Sequence, residues 1–184
     1  MGRNTYHHGD LRATILAQAA DMVAERGADG ISLRELARAA GVSHAAPAHH
    51  FTDRRGLFTA LAAQGWRELA AALEGARPEF LDAATAYVGF AFGHPGHYAV
   101  MFDRSLVDSA DPALVEAESA ARTELSRGVA TLTDARAQSD PDGAALAAWS
   151  LVHGFVMLRL NHVIPTTDDP VDEVARVAKM LFGE

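Results

Sequence analysis

One stretch, Ile31 to Phe51, constrains the fold of the chain more than any other: ISLRELARAAGVSHAAPAHHF. Ser32 precedes Glu35 by three positions, the spacing of a capping box that opens a helix. Leu33, Leu36, Ala37 and Ala40 follow at i, i+3, i+4 and i+7 and form one apolar face, with Arg34, Glu35 and Arg38 turned to water. Gly41 stands where a helix ends on a left-handed glycine. Val42 is expected to fill the corner, and Ser43 to cap a second helix carrying His44, His49 and His50 among Ala45, Ala46 and Ala48. Two short helices about a glycine turn, the second slim, form a helix-turn-helix that a DNA major groove can admit. The alanines permit close approach, and the imidazoles offer donors to phosphates or base edges. A purely structural corner in a helical bundle shares this pattern and stays open as an alternative.

A chain of 184 residues with 49% apolar content is long and apolar enough to bury a core. It has no cysteine, so disulfide scaffolds, thiolate metal sites and thiol nucleophiles are excluded. The polar start MGRNTYHHGD lacks a signal-peptide core, and no apolar run is expected to reach the length of a bilayer span. A soluble, cytoplasmic protein is the expectation. The net charge of −8 argues against general electrostatic coating of DNA, but its distribution is uneven. Residues 1–70 hold eight Arg against seven Asp or Glu, a balance of +1, and the remaining residues carry −9. The first part is the half suited to meet phosphate.

Before this motif, a polar arm with Arg3 leads into a first helix from about Gly9 to Arg26, ended by Gly27. The expected core of the three helices is Leu11, Ile15, Met22, Val23, Leu33, Leu36, Val42 and Phe51. Asp53 can cap a long strut of about twenty residues, with Leu57, Phe58, Leu61, Trp66, Leu69 and Leu73 along it. Beyond it the pattern predicts a helix over 79–92, a short helix in HPGHYAVMF, a helix from Pro112 to about Ala135, and a polar turn at QSDPDG. An apolar helix over 144–164 and a final one over 171–182 follow; apolar on most sides, they predict burial and a dimer interface. No strand, repeat or low-complexity tract is read. The domains expected are 1–55, helix-turn-helix, and 56–184, ligand binding and dimerisation.

These residues resemble a known family. YHHGDLR at 6–12, ISLRELARAAGVS at 31–43, and HF followed by DRRGLF at 50–58 look like the DNA-binding domain of TetR-type transcriptional regulators. Trp149 to Gly154 (WSLVHG) and FGHPGHYAVMF at 92–102 are similar to the C-terminal ligand domain named for its Trp-His-Gly signature. The resemblance implies an all-α fold: a three-helix helix-turn-helix domain joined by a long helix to a helical ligand-binding and dimerisation domain. It also implies a homodimeric repressor on double-stranded DNA, at a pseudo-palindromic operator, released by a small, mostly apolar effector. By position, Ser43, His44, Ala45 and His49 would face bases or backbone, and His50 and Arg54 phosphates. Arg3, Ser32, Arg34 and Ala48 complete the DNA-facing set. Ala48 departs from the family, which usually carries an aromatic there, commonly tyrosine. The ligand-facing set is His97, Tyr98, Met101, Phe102, Trp149, His153 and Met157.

Other classes are weighed on the same residues. His94 and His97, with His153 and His162, could suggest a metal, but without cysteine or patterned carboxylates a structural role is favoured, and no metal or cofactor is expected. Ser105, His97 and Asp103 could be drawn as a catalytic triad, yet there is no nucleophile elbow or phosphate loop, and no enzyme is expected. A helix-turn-helix fold serving as a protein-interaction module without operator binding is the remaining alternative, favoured by Ala48 and the weak positive charge.

Overall fold

The computed structural model describes residues 8–43, 45–76, 79–165 and 168–182, and of residues 8–10 the backbone alone. Among the described residues all regular structure is helical: α1 (His8–Arg26), α2 (Leu33–Ala39), α3 (Ala46–His50), α4 (Arg54–Gly75), α5 (Phe80–Gly93), α6 (Pro95–Met101), α7 (Pro112–Val129), α8 (Ala135–Ser139), α9 (Pro141–Leu160) and α10 (Pro170–Phe182). The chain divides into two compact units that are not continuous in sequence. The first takes the chain up to Gly65 and again from His94 to Glu116; the second takes Trp66–Gly93 and Ala117–Glu184.

In the first unit α1, α2 and α3 pack on one another around Ile15, Leu16, Ala19, Met22, Val23, Leu36, Ala37 and Phe51, all buried. Leu11, Leu33 and Val42, expected in this core, are half-buried at its edge. The capping box forms as the spacing predicts: the Glu35 amide donates to Ser32 Oγ and the Ser32 amide to Glu35 Oε2, an arrangement worth about 1 kcal/mol at a helix start. At the other end Gly41 takes φ 66°, its amide donates to Arg38 O, and the Val42 amide reaches back to Ala37 O. That pair of bonds is a Schellman motif, and it needs the positive φ that glycine supplies without a Cβ clash. Asp53 caps α4 through Gly56 N at 2.8 Å.

The start of α3 differs from the expectation. Its N-cap is Ala45, with no side-chain cap, rather than Ser43. Pro47 lies in the first turn, where its missing N–H removes a donor that would need capping, so a side-chain cap is less needed. The carbonyl of Ser43 instead accepts from Ala46 N at 3.0 Å.

Within this same unit α6 lies against α1. A Cβ built on Gly96 would stand 2.0 Å from Ala20 O, and one on Gly65 2.6 Å from Met101 Sδ. The first is a collision with backbone and the second with a flexible side-chain atom.

The second unit packs α5 against α9 and α10, α9 against α10, and α8 against α9. The Phe80 and Phe182 rings meet edge to face at 5.1 Å. Three helix boundaries depart from the sequence reading, one of them the end of α9, which stops at Leu160 with Asn161 as its C-cap and does not reach Ile164. The helix from Pro112 stops at Val129 instead of near Ala135, with Thr131 Oγ1 bonded to Gly128 O at 2.7 Å, and Asp134 then caps the separate α8 through Arg136 N. QSDPDG is not a free turn: Gln138 and Ser139 end α8, Asp140 caps α9 through Gly143 N at 2.9 Å, and Pro141 opens it.

By length and composition α9 is apolar enough to cross a bilayer, against the expectation that no run reaches that length. The helix is not apolar throughout, however. Arg159 is 3% exposed, pairs with Glu173 on α10, and donates to Pro165 O at 3.3 Å and Asp168 O at 3.0 Å. A buried guanidinium met by a carboxylate and two carbonyls ties α9 to α10; removing Glu173 would leave the buried Arg159 charge without its carboxylate.

The α1–α6 approach yields a direct test. Gly96→Ala is expected to lower stability to urea by about 2–3 kcal/mol, the upper range for overpacking, because backbone must move. Gly65→Ala should cost clearly less, since Met101 can change rotamer. Equal costs would mean that the Ala20–Gly96 contact relaxes freely.

Candidate nucleic-acid interface and ligand cavity

On the helix-turn-helix, Ser32, Arg34, Ser43, Ala45, Ala48 and His49 are exposed, so their side chains are available to a partner. His50 is half-buried, its ring tilted against Phe51 at 6.3 Å, while the Arg12 guanidinium lies 5.3 Å from the centroid of the Phe51 ring. Ser32 is exposed yet engaged: its hydroxyl bonds Glu35. Those bonds from Ser32, backbone first, hold the Glu35 carboxyl below the usual carboxylate range. Arg3 and His44 lie outside the described residues.

Arg54 is half-buried and already bonded within the protein. Its Nε donates to Ile31 O at 3.1 Å and its Nη2 to Ala28 O at 2.9 Å, and the guanidinium lies 4.7 Å over the Phe58 ring. The neighbouring Arg55 points to another segment, with Nε and Nη2 both on Val107 O at 3.1 and 2.9 Å. Neither set of bonds is legible from spacing, since the partners are carbonyls far along the chain.

The seven residues expected to face a ligand fall in two groups. His97, Tyr98, Met101 and Phe102 belong to the first unit, the first three of them buried. Trp149, His153 and Met157 belong to the second. In that second unit Trp149 borders a small apolar cavity between α5, α7 and α9, lined also by Phe80, Ala83, Ala84, Val129 and Ala148. Its volume of about 20 Å³ is room for about one water. Met157 is 41% exposed and does not line it.

Beside the cavity the polar atoms form a chain. Trp149 Nε1 donates to Tyr87 Oη at 3.3 Å, and Tyr87 Oη stands 3.4 Å from His153 Nδ1. Trp66 meets Trp149 edge to face at 6.4 Å, and the Arg122 guanidinium lies 5.5 Å from the Trp149 ring. Burial pushes the His153 pKa down, which favours the neutral imidazole. In the neutral tautomer that carries its proton on Nε2, Nδ1 accepts a hydrogen bond from the Tyr87 hydroxyl, and in the other tautomer Nδ1 donates to it. Tyr87 is absent from the sequence-derived set; the available signal was a phenol in the apolar stretch after Thr85 of α5, which must find a polar partner when buried.

Ser105, His97 and Asp103 do not form a triad. Ser105 Oγ donates directly to Asp103 Oδ1 at 2.6 Å in an exposed turn, holding that carboxyl low, while His97 is buried. His94 and His97 rings stand 5.9 Å apart, and among the described residues no group of three His, Asp or Glu could hold a metal.

Residues 15–61 match the family described as bacterial regulatory proteins, tetR family, and residues 80–181 match the tetracyclin repressor-like C-terminal domain. The chain belongs to the TetR family. It is a helix-turn-helix DNA-binding transcriptional regulator, with a C-terminal domain of the kind that receives ligands. The C-terminal match is to the tetracyclin repressor-like domain, and the Trp-His-Gly subtype stays a resemblance. Among solved structures, a protein of unknown function from Rhodococcus sp. RHA1 is 37% identical over 98% of this chain and 97% of its own, with TM-score 0.77. The TetR family transcriptional regulator PfmR from Thermus thermophilus shares the fold at 23% identity, 92% and 97% coverage and TM-score 0.65. The multidrug binding protein EbrR, solved with imidazole, does so at 22% identity, 99% and 97% coverage and TM-score 0.60. No curated protein matches the chain in sequence.

For this TetR-family chain the His153 environment fixes a pH dependence. With the folded pKa lowered below about 6.5, stability is fully present above that value and is lost as pH falls through it towards the folded pKa. Thermal melts are expected to decline across this acidic window in wild type and to decline less in His153→Gln. Parallel declines would remove His153 from the effect.

Proposed function

We propose that this regulator is a homodimeric repressor, released from a pseudo-palindromic operator by a small, mostly apolar effector. The observation that carries the reading is the apolar cavity beside the Trp149–Tyr87–His153 chain. An apolar wall with a few convergent polar atoms is the usual make-up of a ligand site. The cavity is too small as it stands for anything larger than a water, so an effector would have to widen it by displacing α5, α7 or α9. That linkage lets an effector bias one conformation over another. Ala83, Ala84 and Ala148 leave small side chains around it that yield by helix shift. Of the residues expected to face a ligand, Trp149 and His153 are the favoured contacts in the second unit; His97, Tyr98 and Met101 on α6 and Phe102 at its C-cap are the candidates in the first, and Met157 fits the dimer face better.

Dimerisation through α9 and α10 is supported by Leu146, Met157, Leu158 and Met180, which are 64%, 41%, 43% and 80% exposed. Isolated exposed apolar side chains are common, but four large ones on two adjoining helices suit an interface. Two helix-turn-helix motifs about 34–36 Å apart would then reach successive major grooves on one face of DNA. DNA reading is assigned to residues 1–55, through Arg34, Ser43, Ala45, Ala48 and His49 on the exposed face, with Arg3 as the fixed charge of the polar arm and His44 from the resemblance.

Selection of bound duplexes from a random pool tests the whole reading. A two-fold symmetric sequence should be enriched, and light scattering should give a dimer at micromolar concentration. No enrichment would favour the protein-interaction module, and a monomer would remove the dimer. Ala148→Phe should fill the cavity, leave binding to the enriched duplex within about twofold, and abolish release by apolar compounds that release wild type. If the variant is released as readily, the effector sits elsewhere.

A further inference from the structure

We propose that Arg54 and Arg55 are positioning residues: a two-sided brace that fixes the helix-turn-helix to the 103–111 loop, with Arg54 acting on DNA through the loop ahead of α2 and not as a phosphate contact. The inference rests on the operator-binding reading above and departs from what family resemblance assigns to Arg54. Three observations within the first unit carry it.

The first is the inward engagement of Arg54. Two of its nitrogens are held by Ile31 O and Ala28 O, and the face of its guanidinium rests 4.7 Å from the Phe58 centroid. A forked phosphate contact through Nε and Nη2 would have to break bonds that are partly buried, each charge-assisted. The second is what those carbonyls hold. Ile31 is buried and Ser32 next to it is the N-cap of α2, so Arg54 sets where α2 starts, and the Schellman turn then sets where α3 starts. The third is the opposite grip of Arg55. Its Nε and Nη2 both bond Val107 O; one turn along α4, Thr59 is 4% exposed, donates to Arg55 O at 2.8 Å and accepts from Asp108 N at 2.8 Å. Consecutive arginines on the first turn of α4 thus tie the loop after α6 to the loop before α2. A planar fork makes such paired bonds and an ammonium does not.

The probe is the duplex enriched by wild type, so a failure to enrich any duplex overturns the operator reading separately. On that duplex Arg54→Lys keeps the charge and loses the fork. The brace predicts affinity about tenfold weaker for both Arg54→Lys and Arg54→Gln, from the loss of charged hydrogen bonds, with the slope of log affinity against log salt unchanged. A phosphate contact predicts that Lys restores affinity and that Gln lowers the slope by about 0.9; either result overturns the proposal. Wild type itself gives an independent readout should a variant fold poorly. The ¹⁵N Arg54 Nε–H resonance should stay slow to exchange and unshifted when the duplex is added, and a duplex-dependent shift would overturn the proposal. For the coupling, Arg55→Lys should speed amide exchange both at 106–108 and at 31–36. Exchange raised at 106–108 alone would show that Arg55 holds only its own loop.

Discussion

The backbones of α1 and α6 approach at Ala20 and Gly96 more closely than a Cβ there would allow, and the organisation of the first unit depends on this contact. Hydrophobic burial brings helices together without setting how near they come; a side chain at the crossing normally sets the distance. With hydrogen in its place α6 lies directly on the first helix of the DNA-reading motif. His97 and Tyr98 follow at once and are buried, so the HPGH turn has a packing reason for its glycine and one of its histidines. A segment that belongs by sequence to the C-terminal half is therefore built into the unit that carries the helix-turn-helix. Any effector-driven change that reaches α6 would be felt by α1 through backbone contact and not through a mobile side chain.

This arrangement marks the limit of what the sequence made legible. Signals carried by residues three or four apart were read correctly: the Ser32–Glu35 box, the Gly41 stop, the Asp53 cap and the apolar faces of α2 and α4. Each is a contact within one helical turn, so spacing alone defines it. Competition between adjacent local signals was harder. Ser43 had the chemistry of a cap but Pro47 in the first turn of α3 lowered the demand for one, and Asp140 drew Pro141–Gly143 into α9 although the run read as a turn. Contacts across 23, 26 or 52 residues, such as those of Arg54 and Arg55 to carbonyls, leave no periodic trace at all. The noncontiguous first unit was invisible for the same reason.

The second unit shows how one polar residue in an apolar helix acquires meaning only in three dimensions. Along α9, Trp149, His153 and Arg159 interrupt a run of alanine, valine and leucine, and averaged hydropathy treats the helix as able to span a bilayer. In the fold each interruption is answered: Trp149 and His153 by Tyr87 on α5, and Arg159 by Glu173 on α10. These partners restrict which faces α5 and α10 can offer, because a buried donor or charge left unmatched costs more than a mispacked methyl. The apolar residues supply the drive to associate, and the three polar ones select the register in which association is permitted.

The same division of labour bears on DNA reading. Fixed positive charge on the helix-turn-helix is sparse: Arg34 and Arg38 are exposed on α2, while Arg54 and Arg55 are bonded inward. Affinity for a polyanion normally rises with the number of phosphates a cation reaches. A domain balanced at +1 has few to give, and one that holds two of its arginines as internal braces has fewer still. What it gains is geometric: α2 and α3 are fixed in place by bonds that salt does not screen as it screens surface charges. The side chains left exposed at α3, Ala45, Ala48 and His49 among them, are small groups and an imidazole, which suit base-edge reading more than electrostatic attraction to the backbone.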